Sequence, residues 1–115
     1  MKKIKLSITG CMGRMGKQII KSSYKDKSFK IVALTENTNV GKKINGIKVE
    51  KNSLFTFKKS DVIIDFSTPK CTFEILKLAT KLKKRVVIGT TGFTKKEENL
   101  IIQISKKIPI LKAGN

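Results

Sequence analysis

Between a strand-like run and a helix-like run stands the segment Gly10-Cys11-Met12-Gly13-Arg14-Met15-Gly16. It restricts the fold more than any other part of the chain. Before it, residues 3–9, KIKLSIT, alternate in polarity as a strand does. After it, residues 14–25 place Met15, Ile19 and Ile20 at helical spacing, with Lys17 and Lys21 left for solvent. A strand that turns at once into a helix needs glycine where a side chain would clash. Gly10 permits the tight turn, Gly13 lets the backbone approach a ligand, and Gly16 lets the helix pack closely on the strand. The backbone N–H groups of Arg14, Met15 and Gly16 then face whatever lies beyond the strand end. Cys11 and Met12 act there through their backbone more than their side chains. Arg14 either contacts an anion from the helix start or is a surface arginine. The spacing is GxxGxxG and not the commoner GxGxxG, so its context carries the weight. A plain glycine turn in an unrelated α/β protein is the bland alternative.

That context extends along the chain. Residues 29–35, FKIVALT, form a second strand ending at Glu36, about 20 residues beyond Gly16, where a carboxylate can take sugar hydroxyls. Residues 37–47 are rich in Asn and Gly and read as a loop. IKVE at 47–50 and LFTF at 54–57 read as short strands, or a strand plus a turn. DVIIDF at 61–66 is a firm third strand. Ser67-Thr68-Pro69 follows with a cap and an early-helix proline, and a helix covers 70–82. RVVIG at 85–89 is a nearly continuous apolar strand that leads into the loop Thr90-Thr91-Gly92. Thr94 with Glu97 forms a capping box, and the helix it opens runs to about Lys107. Pro109 to Lys112 begins a fifth strand, followed by Ala113-Gly114-Asn115.

Strands alternating with helices, and central strands rich in Val and Ile, predict a Rossmann-like α/β fold: a parallel sheet with helices on both faces. In such sheets ligands bind beyond the C-terminal strand ends. Those ends are Gly10, Glu36, Phe66 to Thr68, Gly89 to Gly92 and Ala113 to Asn115. The expected ligand is a dinucleotide, with its paired phosphates on the glycine turn and Glu36 on the ribose. Ser67 and Thr68 either hydrogen-bond to it or cap a helix, and Phe66 can cover one face of an adenine or ribose. Asp65 is expected to bury its carboxylate or to pair locally.

Composition excludes several chemistries. The chain has no His, which removes imidazole catalysis and His metal ligands, and no catalytic or metal-binding residue is assigned. Cys11 and Cys71 form neither a CxxC pair nor a disulfide framework, so a reducing cytoplasm is the expected compartment. The basic start is followed by an apolar run of only about five residues, too short for a signal peptide or a membrane span. A net charge of +18 invites a nucleic-acid reading. However, only Arg14 and Arg85 among the 26 basic residues are arginines, the lysines are scattered, and aromatic residues are few. Binding to nucleic acid is expected to be nonspecific only, while the same field draws in an anionic cofactor.

Taken in order, GCMGRMG, Glu36, DFSTP at 65–69 and VIGTTGF at 87–93 resemble the amino-terminal part of the 4-hydroxy-tetrahydrodipicolinate reductase family, over essentially the whole chain. The resemblance implies NADH or NADPH on the Gly10–Gly16 loop and Glu36. It implies that Gly89, Thr90 and Thr91 lie near the nicotinamide, and that Ala113, Gly114 and Asn115 begin a hinge that also touches it. It further implies a reductase of diaminopimelate and lysine biosynthesis that passes hydride to a cyclic imine. Where the family often carries Arg after the ribose acid, this chain has Asn37, which leans the reading toward NADH, although Lys42 or Lys43 can attract a 2′-phosphate. The family's His-His-x-x-Lys and Lys-x-Asp-x-Pro-Ser-Gly-Thr stretches do not occur in residues 1–115. The expectation is therefore an N-terminal dinucleotide-binding domain, inactive alone, whose second domain is missing or separately encoded and whose family homotetramer is not carried over. The rivals are a free-standing or decayed nucleotide-binding module and a basic nucleic-acid-binding domain.

Overall fold

The computed structural model describes residues 2–113. Its sheet has seven strands: β1 (Ile4–Thr9), β2 (Phe29–Thr35), β3 (Lys43–Ile44), β4 (Ile47–Glu50), β5 (Val62–Asp65), β6 (Arg85–Ile88) and β7 (Ile110–Lys112). Four helices connect them: α1 (Arg14–Lys25), α2 (Leu54–Phe57), α3 (Pro69–Leu82) and α4 (Lys95–Ile104). The strand order is β3-β4-β2-β1-β5-β6-β7, and every pairing is parallel except β3 with β4. From β1 the chain moves outward to β2 and β4, then returns to β5 on the other side of β1. The order therefore reverses between β1 and β5, which opens a crevice beyond their C-terminal ends.

Both sheet faces are covered, as the apolar strands require. In register, Ser7 pairs with Ile63 and Ile8 with Ile64, so Ile8 and Ile63 point to opposite faces. Ile8 joins Cys11, Ile20, Ile31, Leu34 and Val49 in the core beneath α1. Ile63 joins Phe57, Ile75, Leu76, Ala79, Val86, Ile88 and Ile101 in the larger core beneath α2, α3 and α4. On the rim, Lys112 pairs with Glu98 at 2.8 Å and lies over the Phe93 ring, tying β7 to α4. No helix among the described residues is long and apolar enough to cross a membrane.

One open reading closes and two others change. Of the two alternatives for IKVE and LFTF the structure has the strand plus a turn: LFTF is a single helical turn, α2. The Ser53 hydroxyl caps it by accepting from the Thr56 N–H at 3.1 Å, and docking of the fully buried Phe57 overrides the strand-like alternation of this segment. The 37–47 loop contains β3, which pairs with β4 through a turn at Asn45-Gly46, both at positive φ (50° and 82°). Helix α4 stops at Ile104, where the Ser105 hydroxyl bonds back to the Ile102 carbonyl. The capping readings hold. Thr68 caps α3 with Pro69 in its first turn, and Thr94 with Glu97 forms the reciprocal box on α4.

Helix α3 ends on Lys83 in the left-handed conformation (φ 55°, ψ 43°), and the Lys84 N–H reaches back to the Ala79 carbonyl at 2.9 Å. A side chain there carries a steric penalty that glycine avoids. Lys83→Gly should therefore stabilise the fold by about 0.5–1 kcal/mol, read as a raised urea midpoint with an unchanged slope.

Candidate functional site

The three glycines of the first turn are glycine for different reasons. Gly10 sits at φ +64°, and a Cβ there would stand 2.1 Å from the Phe66 carbonyl oxygen. A Cβ on Gly16 would stand 2.2 Å from the Gly10 carbonyl oxygen. Backbone occupies both places, so the fold itself demands these two residues. At Gly13 the one neighbour within reach of a Cβ is the Gly10 carbonyl oxygen, at 3.4 Å. The fold would tolerate a side chain there.

Helix α1 begins directly on this turn, at Gly13, with no side-chain cap and no acid in its first turn. By contrast α2, α3 and α4 are capped by Ser53, Thr68 and Thr94. The first-turn N–H groups of Arg14, Met15 and Gly16 thus keep their hydrogen-bonding capacity at the positive end of the helix dipole, with the Arg14 side chain exposed beside them. That is the donor set an anionic phosphate requires.

Glu36, just past β2, closes the other side of the turn. Its Oε2 accepts from the Met12 N–H at 3.0 Å and its Oε1 from the Asn37 N–H at 3.2 Å. The Cys11 N–H donates to the Thr35 carbonyl at 3.3 Å, so β2 and the glycine turn are stitched together. Each Glu36 oxygen still has a lone pair for a further donor. The Cys11 side chain points away into the α1 core and is fully buried. Burial first, and the nearby Glu36 charge second, push its thiol up from 9.0 to about 11. A thiol held protonated in this way is neither a nucleophile nor a redox group at neutral pH.

Beyond β5 and β6 the loops interlock. The Phe66 ring lies across Gly89, where a Cβ would fall 2.0 Å from a ring carbon. The Ser67 N–H donates to the Thr90 hydroxyl at 2.9 Å. Thr90 is buried while Thr91 is exposed, and both line a cleft of about 140 Å³ with Phe93 and Ala113. The Ala113 N–H is anchored on the Ile88 carbonyl at 2.7 Å. Gly114 and Asn115 lie outside the described residues. A larger cavity, about 500 Å³, lies elsewhere, between α1 and the β3–β4 hairpin, and includes Met12 in its lining.

What the residue pattern did not reveal is the role of Asp65. Its carboxylate is fully buried and accepts from four hydroxyls: Thr9 at 2.6 Å, Ser67, Thr72, and Thr90 at 3.1 Å. The Ser67 side chain is therefore turned inward to Asp65, and Thr68 takes the capping role. An acid inside the apolar run DVIIDF signals that donors must exist. Nothing local says that they are Thr9 and Thr72, which come from β1 and α3.

Gly10→Ala and Gly16→Ala should each destabilise the fold by more than about 2 kcal/mol, whereas Gly13→Ala should cost less than about 1 kcal/mol; denaturant unfolding of the three variants checks this ordering. Cys11 generates a pH dependence. An unfolded Cys11 ionises near 9.0 and the folded one only near about 11, so its contribution is complete below pH 9 and is lost as pH climbs toward 11. Cys11→Ala should remove about 2–3 kcal/mol of that alkaline decline, visible as a flatter stability curve between those pH values than the unsubstituted chain shows.

The comparisons agree with this geometry. The family described as "Dihydrodipicolinate reductase, N-terminus" matches residues 4–115. The 4-hydroxy-tetrahydrodipicolinate reductase of Pelagibacter ubique (strain HTCC1062) is 67% identical over 115 residues, which is 100% of this chain and 45% of that protein. The enzyme of the same name from Buchnera aphidicola subsp. Cinara cedri (strain Cc) is 38% identical over 129 residues, covering 98% of this chain and 46% of that protein. Among solved structures, dipicolinate-bound dihydrodipicolinate reductase from Paenisporosarcina sp. TG-14 superposes with a TM-score of 0.80 at 27% identity, covering 99% of this chain and 48% of that one. The chain spans about half the length of the curated relatives it matches. With the glycine turn, the open helix terminus and the acid facing them all in place, the chain belongs to the dihydrodipicolinate reductase family and matches its amino-terminal, NAD(P)H-binding domain.

Proposed function

We propose that this chain is the nucleotide-holding half of a reductase that passes hydride to a cyclic imine dicarboxylate, and that it takes NADH in preference to NADPH. The observation that carries this reading is the Glu36 carboxylate, held on the Met12 N–H at the mouth of a glycine turn whose helix lacks a cap. The pyrophosphate would lie over Gly13 against the N–H groups of Arg14 to Gly16, and the adenosine ribose would donate to Glu36. Gly89, Thr90, Thr91 and Ala113 would border the nicotinamide. Ser67 would reach that end through its backbone, since its hydroxyl is engaged with Asp65.

The reduced dinucleotide, when bound, supplies the hydride. The chain's own part is binding and orientation. Its uncapped helix terminus and its lysine-rich surface draw the anion in, and the rigid loops beyond β5 and β6 fix where the reacting end can sit. We assign substrate binding and proton donation to residues outside this sequence. Such a division agrees with the half-length match to the relatives. Two buried, unpaired cysteines suit a reducing cytoplasm.

Cofactor preference follows from charge. Glu36 would repel a 2′-phosphate on the ribose it binds, and Asn37 beside it offers no compensating cation. NADH should bind saturably and more tightly than NADPH. Glu36→Gln should weaken NADH about tenfold and narrow the gap to NADPH, and Gly13→Ala should weaken both while the fold survives. Titration of nicotinamide fluorescence measures all three effects. A well-folded chain that binds neither reduced dinucleotide overturns the reading.

A further inference from the structure

We infer that Asp65 is a positioning residue whose buried carboxylate sets the loops beyond β5 and β6 for the nicotinamide half of the cofactor, independently of the adenosine half. The inference rests on the nucleotide-binding reading above and adds a division of labour within that site.

Burial of an ionised carboxylate is costly unless hydrogen bonds satisfy it. The one ion pair among the described residues, Lys112 with Glu98, is elsewhere, so no cation neutralises Asp65. Hydroxyls do the work instead: Thr9 and Ser67 donate to Oδ1, and Thr72 and Thr90 to Oδ2. Two donors on each oxygen fill its lone pairs. A hydroxyl carries one proton, so all four rotors are set by this single group. Thr90, having given its proton to Asp65, presents a lone pair to the Ser67 N–H at 2.9 Å. The loop after β5 is thereby locked to the loop after β6, and the Phe66 ring is held across Gly89.

An apolar cluster would join the same strands without the burden of a buried charge. What the carboxylate adds is direction. Its donors come from the ends of β1, β5 and β6 and from the start of α3, all bordering the crevice at the reversal of strand order. None of them hydrogen-bonds to Glu36, whose partners are the N–H groups of Met12 and Asn37. The two acids therefore organise separate parts of one site.

ADP-ribose keeps the adenosine and the pyrophosphate but lacks the nicotinamide, so it separates the two halves. Calorimetric titration of NADH and ADP-ribose should be run on the unsubstituted chain, on Asp65→Asn and on Thr72→Val. Asp65→Asn should weaken NADH about tenfold and leave ADP-ribose within about twofold. Thr72→Val removes one donor from under α3 and should act in the same direction by about threefold, with Thr72→Ser restoring affinity. If Asp65→Asn does not fold, the Thr72 pair decides alone. Faster amide exchange at Ser67 in the folded variants supports the mechanism further. Equal weakening of both ligands, no weakening of either, or an unsubstituted chain that binds NADH no better than ADP-ribose overturns the positioning role. An unsubstituted chain that binds neither ligand overturns the nucleotide-binding reading, and this inference with it.

Discussion

The structure depends on one close approach, that of the turn after β1 to the turn after β5. The Phe66 carbonyl occupies the space where a side chain on Gly10 would stand, and the Gly10 carbonyl occupies the corresponding space on Gly16. Backbone packed against backbone cannot yield as a flexible side chain can. The first helix is therefore pressed onto its strand, and its N-terminus is aimed at the crevice where strand order reverses. Glu36, the loops beyond β5 and β6, and Ala113 take their places around that fixed point.

Around it the chain uses its few acids in two ways. With eight Asp and Glu against 26 Lys and Arg, a carboxylate has no shortage of cations to pair with, yet neither acid at the crevice has one. Glu36 rests on backbone N–H groups and retains lone pairs, as suits a group that must accept from a ligand. Asp65 is saturated by hydroxyls and withdrawn from solvent, as suits a group that must hold its neighbours still. In the proposed reading the first serves recognition and the second positioning, and strands β2 and β5 place them on either side of β1.

The remaining charge has a simpler meaning. The lysines are mostly exposed, and the first helix opens on the crevice with no side-chain cap and no acid in its first turn. A diffuse positive field over such a terminus attracts phosphate without specifying it; in the proposed reading, specificity falls to the glycine spacing and to Glu36.

Much of this was legible in the residues. The strand–glycine–helix order, the caps at Thr68 and Thr94, and the acid ending β2 are local patterns, and local patterns follow from local physics: steric room, orphan N–H groups, and the alternation of apolar residues. The parallel α/β class followed for the same reason. LFTF reads as a strand or a turn because its alternation is that of a strand, and the docking of Phe57 against the α3 core makes it a single helical turn. The β3–β4 hairpin was missed because only the pairing partner reveals a two-residue strand. The hub at Asp65 could not be assembled from sequence, since Thr9 and Thr72 reach it only through parallel register and a crossover helix. Residue order by itself determines the main strands and helices and the glycine turn after the first strand. Folding alone decided which hydroxyls meet a buried carboxylate and which glycines the backbone itself requires, because those depend on contacts between residues far apart along the chain.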